Sequence, residues 1–232
     1  MTFTILARCP RTERVGVGIA TYSLGVGGYC PFFVRDRAVL STQAFANSAL
    51  GHLAVEHLAA GVLPRQVLVH LAAADPGFSY RQVGIVAADG VVAMHTGENC
   101  RPWAGHRTGD GYAVFGNVLA GEATAAAMEE SWENSSGSEL DERLLRAVEA
   151  GRDAGGQAGA TGEHLPERSA ALVVRGADCT LDLDLRVDLH DDAVTELRRV
   201  HAGYVPYLDY YALRARDPAN TPPQDVWARS LD

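Results

Sequence analysis

The sequence predicts an α+β fold in which mainly antiparallel sheets are covered by helices. Three observations carry this expectation. Strand-like runs and helical patterns come in blocks, strands and then two helices, twice over, then strands and one helix, so they do not alternate as a βαβα chain would. Turn signals join neighbouring strands into hairpins. The chain has 232 residues, 47% of them hydrophobic, enough for a sizeable core.

The elements follow in order. Residues 3–7 and 15–21 are apolar, β-rich runs split by the turn-like Cys9-Pro10-Arg11-Thr12-Glu13, a hairpin at the start of the chain. Gly16 and Gly18 leave one strand face bare, which lets a backbone or a ligand come close. Residues 24–31, with Gly25, Gly27 and Gly28, read as a loop that fits no phosphate-binding fingerprint. Residues 38–42 are a third strand. Leu50, Leu53, Ala54 and Leu58 form one helical stripe, which Gly61 stops. Pro64 suits the first turn of the next helix, with Val67, Leu68 and Leu71 inward. Residues 80–87 and 91–94 flank Ala88-Asp89-Gly90, a tight-turn hairpin signal. Residues 112–118 are a strand and 122–132 a helix. Ser138 with Asp141 reads as a capping box that opens a helix to Gly151. The glycine-rich stretch 152–166 is a loop, and 170–174 with 181–187 is a last hairpin. A long helix is expected from Asp191 to about Arg214, followed by an irregular, proline-bearing tail. The expected organisation is one domain over residues 1–202. A Tyr/Pro-rich extension over 203–232 would pack on it or on a second subunit, giving a homodimer.

Composition excludes several chemistries. All 20 cationic side chains are arginine. Schiff-base catalysis, pyridoxal-phosphate attachment, Ser-Lys dyads and the P-loop lysine are therefore out, and the N-terminus is the one primary amine. The net charge is −9 and the arginines are scattered, which argues against a nucleic-acid partner. Cys9, Cys30, Cys100 and Cys179 make no CxxC or zinc knuckle, and His52 and His57, five apart, do not share a helical face. No metal and no cofactor are expected. No apolar run reaches the ~18 residues of a membrane span, and no signal peptide opens the chain. A cytoplasmic protein with reduced thiols is expected, with no membrane partner.

Thr2 stands out among the candidate functional residues. Initiator methionine is usually removed before a small second residue, and removal would leave a threonine with a free α-amine at the tip of the first strand. Such a residue holds a nucleophile and, with a free amine pKa near ~8, a base in one place. Many proteins begin Met-Thr without using it so. His95 and Cys100 lie in a segment dense in functional side chains, with Trp103 close behind, and could form a Cys/His pair. An inert buried cysteine and a satisfied histidine are the plainer alternative. Gln43 and Asn47 follow a strand and precede a helix, where amides suit substrate binding or an oxyanion hole, or, for Asn47, helix capping. Asn117 ends another strand, where it could stabilise an oxyanion or serve a turn.

The chain resembles the bacterial family known as domain of unknown function 1028, over residues 2 to about 200. The motifs that carry the resemblance include Thr2-Phe3-Thr4-Ile5-Leu6-Ala7, Ser41-Thr42-Gln43-Ala44-Phe45-Ala46-Asn47, Tyr80-Arg81-Gln82-Val83-Gly84, His95-Thr96-Gly97 with Cys100, Trp103-Ala104-Gly105, Gly116-Asn117 and Ser169-Ala170-Ala171-Leu172. That family looks like a branch of the N-terminal-nucleophile (Ntn) hydrolases. The resemblance implies a four-layer αββα sandwich, a nucleophile at Thr2, and cleavage of an amide-type bond in a small-molecule substrate. Asn117 would serve catalysis, and Gln43, Asn47, Arg81, His95 and Trp103 would line the substrate site. The chain departs from the family in its longer, lysine-free stretch before Ser169. Two other readings compete: a non-catalytic small-molecule binding protein on the same fold, and a hydrolase or acyltransferase using Cys100 with His95.

Overall fold

The structure is a computed structural model and describes residues 1–231. Six strands form one antiparallel sheet in the order β12 (Leu183–Val187), β11 (Ser169–Arg175), β2 (Arg14–Thr21), β1 (Thr2–Cys9), β8 (Tyr112–Asn117), β7 (Ala104–Gly109). Four strands form a second: β3 (Pro31–Val34), β4 (Ala38–Gln43), β5 (Gln82–Ala87), β6 (Val92–Thr96). A two-residue ladder pairs β9 (Gln157–Ala158) with β10 (His164–Leu165).

Strand alternation sorts the side chains into layers. Phe3, Ile5 and Ala7 of β1 point outward, onto Met128 and Trp132 of α3 (Glu122–Asn134), Leu144 and Val148 of α4 (Leu140–Asp153) and Leu197 of α5 (Ala193–Tyr204). Leu6, Val17, Ile19 and Phe115 point the other way and meet Val39 and Val86 of the second sheet. The outer face of that sheet, Leu40, Val83 and Ile85, packs on Leu50 and Ala54 of α1 (Ser48–Ala59) and Val67 and Leu71 of α2 (Pro64–Ala74). Two antiparallel sheets thus lie face to face with helices on both outer faces. α4 occupies the bare strand face at Gly16 and Gly18. A Cβ on Gly18 would come within 2.8 Å of Val148 and 3.0 Å of the Leu144 carbonyl.

Several elements differ from the sequence expectation. The long helix over 191–214 is two helices, because Pro206 lacks the N–H and interrupts the run at a 3-10 turn, Val205–Tyr207. The second of these is α6 (Leu208–Arg216), where Tyr210 is buried and donates to the Pro222 carbonyl at 3.1 Å, and the tail read as irregular carries a short α7 (Gln224–Ala228). α4 begins after Glu139 without a side-chain cap, so Ser138 is not its capping residue. β3 and β7 form where no strand was expected. β3 opens on a proline, and β7 lies at a sheet edge with an incompletely buried pattern, so neither shows a strong apolar alternation.

The registers bring polar residues to one end of the sandwich. Across the six-stranded sheet, Ala104, Asn117, Thr2, Thr21 and Ser169 stand in one row. Across the other, Gln43, Gln82 and Thr96 stand in one row. By the same alternation that buries Leu6, Ile19 and Phe115 between the sheets, Thr2, Thr21 and Asn117 face the second sheet.

Candidate functional site

The N-terminus sits where these two rows meet. Thr2 is 6% exposed. Its hydroxyl donates to the Met1 carbonyl at 2.7 Å, and the Thr21 hydroxyl donates to the same carbonyl. The two hydroxyl oxygens lie 3.2 Å apart, and Thr21 Oγ1 also accepts from the Ser23 backbone N–H at 3.2 Å. The Met1 ammonium donates to Asn117 Oδ1 at 2.6 Å. Burial, joined by the nearby Arg101 charge, pushes that ammonium down from its ordinary value of 8.0 to about 6, so it is largely neutral at pH 7.

Behind Asn117 lies a buried amide network. Asn117 Nδ2 donates to Gln82 Oε1 at 3.2 Å, and Gln43 Nε2 donates to the same oxygen at 3.0 Å. Gln43 Oε1 accepts from the Thr4 hydroxyl at 2.6 Å. Gln82 Nε2 reaches the Gly116 carbonyl (2.9 Å), Thr96 Oγ1 (3.0 Å) and the Gly105 carbonyl (3.1 Å). These bonds settle which way each amide points: Gln82 must present its oxygen to Asn117, which leaves Asn117 Oδ1 facing the N-terminus.

A cleft of about 160 Å³ opens in front of Met1, lined by Ser23, Ala44, Phe45, Arg101, Asn117 and Val118. Three lining residues that are not glycine have left-handed backbone: Ala44 (φ 56°), Phe45 (φ 52°) and Val118 (φ 56°). For the β-branched Val118 and the bulky Phe45 such conformations are costly, and they concentrate at functional sites.

A family model, that of a family of unknown function (DUF1028), matches residues 2–197. The chain belongs to this family. A crystal structure of a DUF1028 protein from Silicibacter pomeroyi is similar over 88% of this chain and 86% of that one, at a TM-score of 0.79 and 28% identity. The Anbu protein (ancestral beta-subunit) from Yersinia bercovieri is similar over 92% and 97% at a TM-score of 0.41 and 9% identity, a likeness too distant to carry an argument. No curated protein matches.

In this DUF1028 protein Asn117 and Gln43 come together on the Gln82 oxygen, and Thr2 stands beside Asn117 by strand register, outside that network. The other residues expected in the site lie outside the cleft. Asn47 caps α1, accepting from the Ala49 N–H at 3.1 Å. Arg81 donates to Asp75 Oδ2 at 2.8 Å and to the Phe45 carbonyl, so it braces the cleft wall from behind. Its hydrogen bond holds the Asp75 carboxyl below its ordinary range. His95 faces the helices, stacked 4.0 Å from the Phe78 ring with Nε2 3.0 Å from the Phe78 carbonyl. Trp103 packs on the outer core cluster, its indole over Gly105.

Cys100 is buried, its Sγ directed at the Tyr80 and Arg81 carbonyls, and burial raises its pKa; no hydrogen bond joins it to His95 among the described residues. A thiol so placed is poorly suited to act as a thiolate. Burial pushes Cys30 up to about 12. Among the described residues no group of three or more His, Cys, Asp or Glu could hold a metal ion, and no helix is long and apolar enough to cross a membrane.

The sequence reading missed Thr21, Gln82 and Arg101. Parity could have found the first two. Gln82, not Arg81, shares the inward face of β5 with Gly84 and Val86, and Thr21 shares that of β2 with Val17 and Ile19.

Proposed function

We propose that this protein is an N-terminal-nucleophile amidohydrolase of the Ntn type, activated by removal of Met1 and acting through Thr2. One observation carries the reading. The first residue of the chain fills the polar end of the cleft, and the Thr2 hydroxyl lies under it, within reach of Thr21 and in register with Asn117. Loss of Met1 would open that space and leave the Thr2 α-amine beside its own hydroxyl. A buried amine in this setting titrates below its free value, as the N-terminus does with Met1 in place, and is then a neutral base near pH 7.

In the proposed reaction Thr2 Oγ1 bonds to the carbonyl carbon of a small amide, and its proton passes to the α-amine. Asn117, expected from the sequence as an oxyanion donor, spends Nδ2 on Gln82 and turns Oδ1 to the N-terminus, so it would accept from the α-amine instead. As the C–N bond breaks, the α-ammonium gives its proton to the departing amine, leaving an ester on Thr2. Water, deprotonated by the same amine, cleaves the ester and restores the hydroxyl. Gln43 and Gln82 hold Asn117 in place rather than touching substrate.

The test is an intact mass of untagged protein together with amine release from small N-acyl substrates. Expected are a chain lighter by one methionine residue and turnover that Thr2→Ala, whose second residue is still small enough for processing, lowers by at least about a thousandfold. Retained Met1, or full activity in Thr2→Ala, refutes the proposal. Retention would instead favour a binding protein, since the 2.6 Å bond from the Met1 ammonium to Asn117 seats that residue in the cleft.

A further inference from the structure

Among the described residues Arg101 is the only ionisable side chain lining the cleft, and no carboxylate accompanies it there. The residue is itself exposed, in a chain with 29 acidic residues and 20 arginines. Most of its arginines are tied to carboxylates, as Arg198 is to Glu142 and Glu149 at 2.6 and 2.7 Å. Among the described residues Arg101 has neither an ion pair nor a side-chain hydrogen bond. Its guanidinium instead lies 5.3 Å from the centroid of the Phe45 ring, half of whose surface is exposed. Both sides of this arrangement are anchored. The Arg101 carbonyl accepts from the Val118 N–H at 3.2 Å, and the Phe45 carbonyl accepts from Arg81. A guanidinium set against an aromatic ring keeps its in-plane N–H groups free, and their fork matches a carboxylate.

We propose that Arg101 receives a carboxylate of the substrate, so that the site takes small carboxylate-bearing amides of the N-acyl amino acid class in preference to neutral amides. The bond class rests on the amidohydrolase reading; the recognition of the carboxylate does not. The cleft volume of about 160 Å³ suits a group the size of a benzene ring, so the recognised fragment is small.

The experiment uses the full chain carrying Thr2→Ala, its processing verified by mass, and measures binding of N-benzoylglycine and N-benzoylglycinamide by calorimetry. The acid is expected to bind roughly 10- to 100-fold more tightly, the size of one charge-assisted hydrogen bond. That preference should fall to about one in Arg101→Gln and survive in part in Arg101→Lys. Absence of any preference for the acid, including failure of both probes to bind, overturns the proposal, as does a preference that persists in Arg101→Gln. Turnover of the same pair by the Thr2 protein separates the two readings. A carboxylate preference in binding without amine release sinks the hydrolase and leaves Arg101 standing. Amine release with no preference for the acid does the reverse.

Discussion

Replacing Gln82 by leucine should be among the most damaging single changes to the polar end of the sandwich. The two side chains are close in volume, so little cavity forms and the loss is one of hydrogen bonding. Gln82 is fully buried, and its oxygen is the shared acceptor for Gln43 Nε2 (3.0 Å) and Asn117 Nδ2 (3.2 Å). Leucine leaves both donors without that partner in a dry interior. Each buried, unsatisfied amide costs about 1–3 kcal/mol, so the expected loss is roughly 4 kcal/mol. Against a typical stability of about 5–15 kcal/mol the variant still folds. Its Tm should fall by about 8–16 °C for a chain of this size. Urea unfolding followed by tryptophan fluorescence measures the loss, with an unchanged denaturant slope. The double variant Gln43→Leu/Gln82→Leu removes one of the orphaned donors and should cost about 1–2 kcal/mol less than the sum of the singles. A loss under about 1 kcal/mol for Gln82→Leu, or strict additivity in the pair, would refute the network as described.

Three further outcomes follow from named contacts. The N-terminal amine has its pKa lowered on folding from 8.0 to about 6, so between those values the unfolded chain binds more protons. Stability of the Met1-retaining chain should therefore rise with pH across that window and level off on either side, and N-terminal acetylation should abolish the slope measured by urea titration. Arg81→Gln should loosen the Phe45 wall and cost about 1–2 kcal/mol at neutral pH. Because the Arg81 bond depresses the Asp75 pKa, the stability difference from the parent should shrink as pH falls below the ordinary carboxylate range; a difference independent of pH would count against it. Gly18→Val forces a branched side chain against Val148 and the Leu144 carbonyl and should cost at least about 1–3 kcal/mol, with a displaced α4 visible in near-ultraviolet circular dichroism.

Much of the layering was legible because it rests on short-range signals. The stripe Leu50, Ala54, Leu58, the Pro64 helix start and the Asp89-Gly90 turn each report local geometry, and each lies in or beside the element expected. What stayed hidden depends on partners distant in sequence. β7 is a strand because β8 pairs with it, not because residues 104–109 alternate in polarity. The candidate site divides in the same way. Thr2 could be singled out by its place in the chain, and Asn117 and Gln43 by their positions at strand ends. His95 and Arg81 attract attention by chemistry alone, yet strand parity turns His95 onto Phe78, and Arg81 lies just before β5 and pairs with Asp75. Nothing local marks Thr21, whose importance comes from register: β2 sets it opposite Thr2.

That register gives Thr21 a role on the proposed reaction path. With Met1 in place, the Thr2 and Thr21 hydroxyls share one acceptor, the Met1 carbonyl. Removal of Met1 takes that acceptor away. With Met1 present Thr21 Oγ1 is held by the Ser23 N–H and lies 3.2 Å from Thr2 Oγ1; if that geometry persists, it would be a fixed partner for the proposed nucleophile. It is then a positioning residue, orienting the Thr2 hydroxyl toward its own amine. Thr21→Val keeps the shape and removes the hydrogen bond, and in the processed enzyme it should lower kcat about ten- to a hundredfold with little change in KM, since orientation matters in the transition state more than in binding. Thr21→Ser should restore most of the rate. A processed Thr21→Val enzyme with undiminished kcat would show that Thr2 needs no orienting partner from β2. A rise in KM alone would move Thr21 from the nucleophile to the substrate.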